Sequence, residues 1–384
     1  MTVDNRNQEV VIAGPGYIGG IEAKVWHEIA QEQGINVGFI VDNSNRAANL
    51  SQELQSQLLV VPEPLTDKGH ISLDFAKKIK ALAEKTQIWN IAVPNKWHYA
   101  YLRLVLGAGV NRVFIEKPST EDPELTRKIL KLHPDALVQV DYVERAHPEV
   151  VAVRDLMLKE GFVPKKTFNW RSHDIRHLPK ERVLSGDLTK ITISDLVHDI
   201  SEVDFLIKAT TGQGLSDQPT LRVSELRSWQ EKYGSQYPWD GDVEADFSLT
   251  FPNGVVSRIK GNDDFDQRRY FVLWDEEKAF FSQTLSRPAQ GITPFAARVS
   301  GRENVKEFVS GLEKGDLVTN ADFAKLLDQT QGENIDILGY EQDALKILMM
   351  NLANAKSPAE LISSLSTALM IEEVVASVYI NLKV

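Results

Sequence analysis

The residues best suited to chemistry follow a short apolar run in the first third of the chain. Val113–Ile115 favours a strand buried on both faces, and the run ends directly in Glu116, Lys117 and Pro118. Ligands of open α/β sheets bind at the carboxyl ends of strands, and a lysine there can stabilise negative charge on a reacting oxygen. The proline restricts the backbone and permits a cis Lys117–Pro118 bond. Taken alone, the tripeptide is also compatible with an ordinary solvated strand end.

A glycine-rich turn near the N-terminus is a second candidate site. Residues 10–13 predict a buried strand, and the pattern G-x-G-x-x-G at Gly14, Gly16 and Gly19 leads into a helix that ends at Gly34. In such a unit Gly14 forms the tight turn, Gly16 lets the backbone approach a pyrophosphate, and Gly19 lets the helix pack closely on the sheet. The helix N-terminus faces the anion. The pattern therefore predicts a dinucleotide-binding turn.

The next strand, residues 37–41, ends in Asp42, which lies 23 positions after Gly19. This is near the place expected for the acid that binds the adenosine ribose hydroxyls, and a carboxylate there would repel a 2′-phosphate. NAD is therefore favoured over NADP. Arg46 keeps NADP open, because an arginine can accept the phosphate. The alternative for Asp42 is a turn residue or a helix cap.

A third group of chemical residues lies in the second half, on the segment 191–206. Its apolar residues define one helical face, and Asp195, His198 and Asp199 cluster on an adjoining face because residues three and four apart are neighbours. The alternative for His198 is a satisfied, partly buried histidine. Arg171 belongs to a basic group ahead of this helix. It could hold a carboxylate or phosphate on a substrate, although solvated charge is the ordinary interpretation of such a group.

The elements around these residues define the fold class. Alternating strands and helices in the first part predict parallel βαβ units, and the later strand-like runs predict a mostly antiparallel sheet with a hairpin at Pro252–Gly254. The predicted strands are 58–61, 88–93, 113–115, 137–140, 166–171, 220–226, 245–251, 255–260 and 270–274; the predicted helices are 73–84, a helix that follows residues 94–98 and runs to 108, 148–160, 191–206 and 358–378. We expect an α/β protein with an N-terminal Rossmann domain, residues 1–145. An α+β domain with an open sheet should follow, residues 146–384.

Composition excludes several classes of function. The chain has 384 residues and a net charge of −11, which argues against non-specific binding to nucleic acids or membranes. It contains no cysteine, so disulfides, thiolate catalysis and cysteine-ligated metal sites are excluded, and we expect no metal. We see no apolar signal-peptide region and no membrane span, and we expect a cytoplasmic protein.

Four motifs carry a resemblance to a known family: GPGYIGG at 14–20, VDNSNRA at 41–47, IAVPNKWH at 91–98 followed by AGV at 108–110, and IEKP at 115–118. Their order and spacing resemble the N-terminal domain of the Gfo/Idh/MocA family of NAD(P)-dependent oxidoreductases. The resemblance implies that Lys117 sits beside the nicotinamide and the substrate, and that His198 lies in the cleft. The family's acid is commonly four residues before the histidine, where this chain has Ser194; Asp195 is three before it.

The resemblance also implies a dehydrogenase or reductase that acts on a sugar, cyclitol or related polyol, and a homo-oligomer, dimer or tetramer, formed through the C-terminal sheet. C-terminal helices, from about residue 340, should return toward the first domain. Two alternatives stay open: transient NAD redox with net hydrolysis, epimerisation or transfer, and a non-catalytic cofactor-sensing protein. The expected catalytic residues are Lys117, His198 and Asp195; the cofactor residues are Gly14, Gly16, Tyr17, Ile18, Gly19, Asp42, Arg46, Pro94, Asn95, His98, Glu116 and Lys117; the substrate residues are Lys117, Tyr142, Arg145, Asp199, His198 and Arg171.

Overall fold

The structure is a computed structural model that describes residues 9–42, 47–66, 70–172, 191–228, 231, 242–262, 268–285, 295–313, 320–337 and 344–380. Strands β1 to β14 are Glu9–Ala13, Asn36–Asp42, Gln57–Val60, Ile88–Ile91, Arg112–Ile115, Leu137–Val140, Lys166–Ser172, Thr220–Ser228, Asp242–Thr250, Val256–Asn262, Arg268–Trp274, Lys278–Leu285, Phe295–Ser300 and Glu333–Ile335. Helices α1 to α11 are Tyr17–Gln33, Ala48–Glu53, Leu73–Ala83, Asn95–Gly107, Pro123–Leu132, Pro148–Glu160, Ile191–Thr211, Arg302–Glu313, Asn320–Gln329, Ala344–Asn354 and Leu365–Ile380. The chain divides into two compact units, residues 1–146 with 342–372 and residues 147–341 with 373–384.

The first unit is built on a parallel sheet. Within the described residues its strands follow the order β3-β2-β1-β4-β5-β6, and each pairs in parallel with its neighbour. This is the strand order of a dinucleotide-binding Rossmann fold, which confirms the predicted fold class for this part of the chain. The order reverses between β1 and β4, so the crevice for a ligand lies at the carboxyl ends of those strands.

Strand β5 shows why an apolar run predicted a doubly covered strand. Val113, Phe114 and Ile115 are completely buried, and β5 lies between β4 and β6 in the sheet. A strand in the middle of a parallel sheet has helices on both faces, so successive side chains are all apolar. The run ends where the chain leaves the sheet at Glu116.

The C-terminal part of the chain contributes to the core of the first unit. Leu348 and Met349 of α10 are completely buried in a cluster with Trp26 and Ile29 of α1. Arg112 at the start of β5 donates from Nη1 to the carbonyl oxygen of Ala355 at 3.0 Å, which satisfies an acceptor at the end of α10.

The single helix predicted over 358–378 is wrong in its first part. Residues Pro358–Glu360 form one 3₁₀ turn, and α11 begins only at Leu365. Between them, Ser363 accepts from the amide of Val140 at 2.9 Å, and Ser364 bridges to Gln139 at the edge of the sheet. These sheet contacts hold the residues extended, which a continuous helix would not allow.

The second unit is built on a mixed, mostly antiparallel sheet, as predicted. Within the described residues the strand order is β14-β13-β12-β11-β7-β10-β9-β8, and only β7 and β10 pair in parallel. The hairpin predicted at Pro252–Gly254 joins β9 to β10, and Gly254 there has a φ of +87°, which a glycine adopts without strain.

Helices cover both faces of the strands β11 to β13. Tyr270 and Val272 face a core with Phe308 of α8 and Phe323 of α9, whereas Phe271 faces the opposite core with α6 and α7. The alternation follows the two-residue period of a strand. None of the helices in the described ranges is long and apolar enough to cross a membrane.

Candidate active site

The glycine turn after β1 has the close contacts that only glycine allows. Gly14 has a φ of +82°, and a Cβ there would lie 2.7 Å from the carbonyl oxygen of Ala92. A Cβ on Gly19 would lie 2.2 Å from the carbonyl oxygen of Gly14. The turn is thus pressed against the segment after β4, and α1 is pressed against the turn.

The same turn has room on its other side. A Cβ on Gly16 would meet nothing within 4 Å, and the first residues of α1 are exposed, Tyr17 at 81% and Ile18 at 43%. Open space at Gly16 and the N-terminus of a 17-residue helix suit a pyrophosphate, because the first backbone N–H groups of a helix have no intrahelical partners. The residues therefore fit a dinucleotide.

Asp42 is the last residue of β2 and is partly exposed. The turn and this strand end are joined directly, because the amide of Gly14 donates to the carbonyl oxygen of Val41 at 3.0 Å. Burial raises the pKa of Tyr101, and the nearby charge of Asp42 raises it further. Asp42 thus places negative charge at the edge of the turn, where an adenosine ribose would be bound. Arg46 lies outside the described residues.

The Lys117 segment leaves the sheet beside the end of β4, and the residues directly after β4 contact the glycine turn. The amide of Glu116 donates to the carbonyl oxygen of Ile91 at 3.0 Å, and the amide of Lys117 donates to Oε2 of Glu116 at 3.1 Å. The Lys117–Pro118 bond is cis, as the sequence suggested. Lys117 therefore follows β5 next to the end of β4, at one side of the crevice between β1 and β4.

His98 of α4 connects the segments that follow β4 and β5. Its ring is completely buried, Nδ1 lies 2.7 Å from the carbonyl oxygen of Pro118, and Nε2 lies 2.8 Å from that of Val93. Burial lowers the pKa of His98, and the two backbone carbonyls oppose that shift. The His98 ring on α4 therefore links Pro118, the residue after Lys117, to the segment that carries Pro94 and Asn95.

Three carboxyl groups meet behind Lys117. Oxygens of Glu22, Glu116 and Asp141 all lie within 4.8 Å of one another, and Asn90 donates to Glu22 at 2.7 Å. Burial raises the pKa of Glu22 and Asp141 well above the usual range, and the charge of Glu116 raises both further. Burial also raises the pKa of Glu116, while the charge of Lys117 lowers it. The spacing could suit a metal ion, but buried acids that repel one another share protons instead.

Tyr142 and Arg145, two expected substrate residues, lie just after this cluster and are both buried. Burial raises the pKa of Tyr142, and the charge of Glu372 raises it further. Arg145 donates from Nη1 to the carbonyl oxygen of Ile362 at 3.3 Å. Arg145 therefore contacts the C-terminal part of the first unit, and Tyr142 lies within the electrostatic influence of Glu372 there.

In the second unit, α7 places Asp199 and Glu202 three positions apart, facing the sheet. Arg171 of β7 donates from Nε to Asp199 at 2.6 Å, and Arg269 of β11 pairs with Asp199 at 3.4 Å and with Glu202 at 2.5 Å. Arg171 and Arg269 are register partners on adjacent strands. The result is a buried network of two arginines and two carboxylates.

His198 is next to this network on α7 and is 8% exposed. Asp195 lies on the same helix, but its side chain falls outside the described residues. The pairing of Arg269 with Glu202 could not be expected from the sequence, since 67 positions separate the two residues. The one available signal was the basic pair at residues 268 and 269, directly before the predicted strand 270–274.

Comparisons with known proteins agree with this geometry. Residues 8–142 match the model of an oxidoreductase family with an NAD-binding Rossmann fold, named GFO_IDH_MocA. A comparison with curated protein sequences finds no significant match. The glycine turn, the strand order and this match define the first unit as a dinucleotide-binding domain.

Solved structures show that the fold extends over nearly the whole chain. UDP-N-acetylglucosamine 3-dehydrogenase from Acidithiobacillus ferrooxidans matches with a TM-score of 0.64 and 16% identity, covering 97% of both chains. A 3-ketoreductase from Actinomadura kijaniata, in complex with NADP and TDP-benzene, matches at 0.68 and 16%, again covering 97% of both chains. Aldose-aldose oxidoreductase from Caulobacter crescentus, complexed with glycerol, matches at 0.71 and 11%, covering 98% of both chains. At these identities the likeness is one of fold.

The family resemblance seen in the motifs is therefore confirmed. Residues 8–142 match the NAD-binding Rossmann domain of the Gfo/Idh/MocA oxidoreductases, and an NAD(P) cofactor is consistent with this match.

Proposed function

We propose that this protein is an NAD-dependent dehydrogenase or reductase that interconverts a secondary alcohol and a ketone on a sugar, cyclitol or related polyol. The observation that carries the proposal is the position of Lys117, which follows β5 at the ligand-binding edge of a Rossmann sheet, next to the end of β4. An ammonium group at that edge suits an oxygen that gains negative charge as its hydroxyl proton leaves during oxidation.

The cofactor would be held by the glycine turn and by Asp42. Gly14 and Gly19 shape the turn, the space over Gly16 admits the pyrophosphate, and Asp42 accepts hydrogen bonds from the ribose hydroxyls. The carboxylate of Asp42 favours NAD over NADP, because it would repel a 2′-phosphate. The bound nicotinamide supplies the hydride acceptor or donor, and the protein orients the reacting groups.

The acid–base residue in this proposal is His198, which takes the hydroxyl proton in oxidation and returns it in reduction. Lys117 stabilises the alkoxide that forms when the proton leaves. Asp195, three residues before His198, would fix the imidazole tautomer. The carboxylate of Asp199 is bound to Arg171 at 2.6 Å, so we assign Asp199 to holding α7 in place.

The substrate class is supported by the structures that share the fold. One is a dehydrogenase of a nucleotide sugar, one is a 3-ketoreductase, and one is an oxidoreductase of aldoses. Each of these names describes redox chemistry at a carbonyl or hydroxyl group.

We further propose that the protein is cytoplasmic and forms a dimer or tetramer through the sheet of the second unit. Sedimentation at several protein concentrations tests the oligomer.

The test is a screen of polyols, aldoses and nucleotide sugars with NAD⁺ and with NADP⁺, following the absorbance of the reduced nicotinamide. We expect turnover with NAD⁺ in preference to NADP⁺. Lys117→Met should lower kcat about 10²- to 10³-fold, the usual effect of removing one group that stabilises an oxyanion. Because the glycine turn and Asp42 hold the dinucleotide, the affinity of the Lys117→Met variant for NAD⁺ should stay within about threefold of the native affinity. Exposed Lys85 provides the control variant, Lys85→Ala, which should leave both values unchanged.

Different failures of this screen have different meanings. Full activity of Lys117→Met on a substrate would disprove the role of Lys117. NAD⁺ binding without turnover of any substrate in the panel would favour a cofactor-sensing protein. Product formation without accumulation of NADH, together with cofactor that stays bound through gel filtration, would favour the transient redox alternative.

A further inference from the structure

Glu372 of α11 is a buried acid that contacts the segment directly after Lys117. Its Oε1 accepts from the amide of Ser119 at 2.8 Å, from Oγ of Ser119 at 2.6 Å and from the amide of Thr120 at 3.4 Å. Its Oε2 lies 2.7 Å from Oγ1 of Thr126. More than 240 positions separate the acid from these partners. A distant part of the chain thus fixes the residues that follow Lys117 and Pro118.

The hydroxyl groups in this contact form a chain that ends on a backbone carbonyl. Oγ1 of Thr120 donates to the carbonyl oxygen of Asp122 at 2.7 Å, and it lies 2.8 Å from Oγ1 of Thr126. Thr126 in turn lies 2.7 Å from Glu372 and 3.1 Å from Oγ of Ser119. Four oxygen–oxygen contacts are therefore 2.8 Å or shorter, and the contact between Ser119 and Thr126 is longer.

The available protons can be assigned along this chain. A carbonyl oxygen cannot donate, so Thr120 gives its proton to Asp122 and can only accept from Thr126. Thr126 gives its one proton to Thr120 and can then only accept from Glu372. Ser119 gives its proton to Oε1. The three hydroxyl groups supply three protons for four short contacts, and the fourth proton must come from Oε2 of Glu372.

We propose that Glu372 is held as a neutral carboxylic acid and acts as a positioning residue that clamps the segment carrying Lys117. The clamp acts together with His98, which lies 2.7 Å from the carbonyl oxygen of Pro118. Its relevance to catalysis rests on the function proposed above, because Ser119 is only two residues from Lys117. Loss of the clamp would displace the lysine while leaving the glycine turn intact.

Burial supports the neutral form, since it raises the pKa of Glu372 to about 7 even though hydrogen bonds from Ser119 and the amide of Thr120 oppose that shift. Tyr142 also faces this acid, because the charge of Glu372 raises the pKa of that phenol. Arg145 acts on Tyr142 in the opposite direction. Glu373 is the neighbouring acid on α11. The segment after β5 and the first turns of α5 supply only hydroxyl and amide groups to Glu372.

The test uses the full chain and two readouts that need no substrate. The first is the carbon-13 NMR shift of the Glu372 side-chain carboxyl carbon, identified by its loss in Glu372→Gln. The second is amide exchange of Ser119, corrected for intrinsic base catalysis. We expect the carboxyl shift to titrate near pH 7, and the protection of Ser119 to fall at least about tenfold from about pH 6 to 8.5.

Variants separate the clamp from simple burial of a side chain. Glu372→Gln keeps a donor toward Thr126 and an acceptor toward Ser119. In this variant the Ser119 amide should therefore stay protected from exchange at both about pH 6 and about pH 8.5. In the oxidation assay Glu372→Gln should hold kcat within about threefold and remove only the part of the pH dependence of kcat that follows the titration of Glu372. Glu372→Ala should lower kcat about a hundredfold with little change in NAD⁺ affinity. Glu373→Gln is the matched control and should behave as the native chain.

The outcomes distinguish this inference from the proposed function. Titration of Glu372 near pH 4.5, or a Ser119 amide that is equally protected at both pH values, would overturn the clamp whatever the activity. Titration near pH 7 in a protein that turns over no substrate would support the clamp and leave the dehydrogenase proposal without support. If Glu372→Gln loses kcat as fully as Glu372→Ala, the neutral acid is not the active form.

Discussion

At the scale of single residues, the close packing of Gly14 and Gly19 in the turn allows the proposed cofactor site to be tested by substitution. A Cβ on Gly19 would lie 2.2 Å from the backbone oxygen of Gly14, and backbone atoms cannot move aside as a flexible side chain can. Gly20 is the next residue on the same helix, and a Cβ there meets nothing within 4 Å. The two positions therefore form a matched pair.

Gly19→Ala should weaken NAD⁺ binding at least about tenfold, because the turn must shift to admit the methyl group, and overpacking should cost about 1–3 kcal/mol of unfolding free energy. Gly20→Ala should bind NAD⁺ as the native protein does and be slightly more stable, since alanine is about 1 kcal/mol better than glycine inside a helix. Isothermal titration with NAD⁺ and urea unfolding measure both. Equal affinities for the two variants would contradict the assignment of this turn.

Local residues of the site could be predicted from the sequence and distant ones could not. Gly14, Gly19 and Lys117 are placed by their own strand ends, so the spacing along the chain was enough. Glu22 looked like an ordinary helix residue, yet it lies with Glu116 and Asp141 in a buried cluster. Such a meeting depends on which strands are neighbours, and that follows from the whole sheet.

At the scale of elements, α7 is held to its sheet by charge as well as by apolar contacts. Asp199 and Glu202 are completely buried, and the arginines that pair with them come from adjacent strands. A buried ion network is costly to break on one side, because the remaining charges keep their desolvation penalty. The network therefore fixes the orientation of the helix that carries His198.

Asp199→Asn should lower the unfolding free energy of the protein by about 3–5 kcal/mol, since Arg171 and Arg269 lose a buried counter-charge. Asp246→Asn breaks a pair with Arg258, whose side chain is 44% exposed, and should cost about 1 kcal/mol or less. Urea unfolding followed by circular dichroism compares the two. A loss for Asp199→Asn no larger than that for Asp246→Asn would show that the network does not stabilise α7.

The elements themselves were predicted well where the pattern was local. Strands in the first part and the hairpin at Pro252–Gly254 are confirmed, because apolar runs and turn residues decide them. Three strands after residue 277 and the helices α2, α5, α8 and α9 were not predicted. The helix predicted from 358 was broken in the structure by Ser363 and Ser364, which pair with β6. A tertiary contact there overrides a helical apolar pattern.

At the scale of the whole molecule, buried acids make stability depend on pH. The pKa of Glu372 rises from 4.5 to about 7, so between these pH values the folded protein keeps a proton that the unfolded chain releases. The unfolding free energy must then fall as pH rises through this range. Glu22 and Asp141, whose pKa values are also raised, act in the same direction.

The expected contribution of Glu372 to this fall is about 3 kcal/mol between about pH 4.5 and 7.5, from 1.36 kcal/mol for each tenfold change in proton affinity. Glu372→Gln does not titrate and should show a flatter dependence by about that amount. Glu373→Gln should keep the native slope. Urea unfolding at four or five pH values gives the slopes, and parallel curves for the native chain and Glu372→Gln would refute the shifted pKa.

The division into two units includes a feature that the residues alone did not predict, namely that a C-terminal segment belongs to the first unit. Residues 342–372 group with the N-terminal part, while residues 373–384 group with the second unit. Core residues such as Leu348 and Met349 carry an apolar pattern that fits many partners. Their contact with α1 depends on long-range packing, so only the resemblance to the family suggested the return of the chain.

The most direct test of the central claim is a crystal structure of the protein with NAD⁺. We predict the pyrophosphate over Gly16 at the N-terminus of α1, the adenosine ribose on Asp42, and the nicotinamide ring beside Lys117. A dinucleotide bound elsewhere, or a nicotinamide ring remote from Lys117, would contradict the proposed dehydrogenase site.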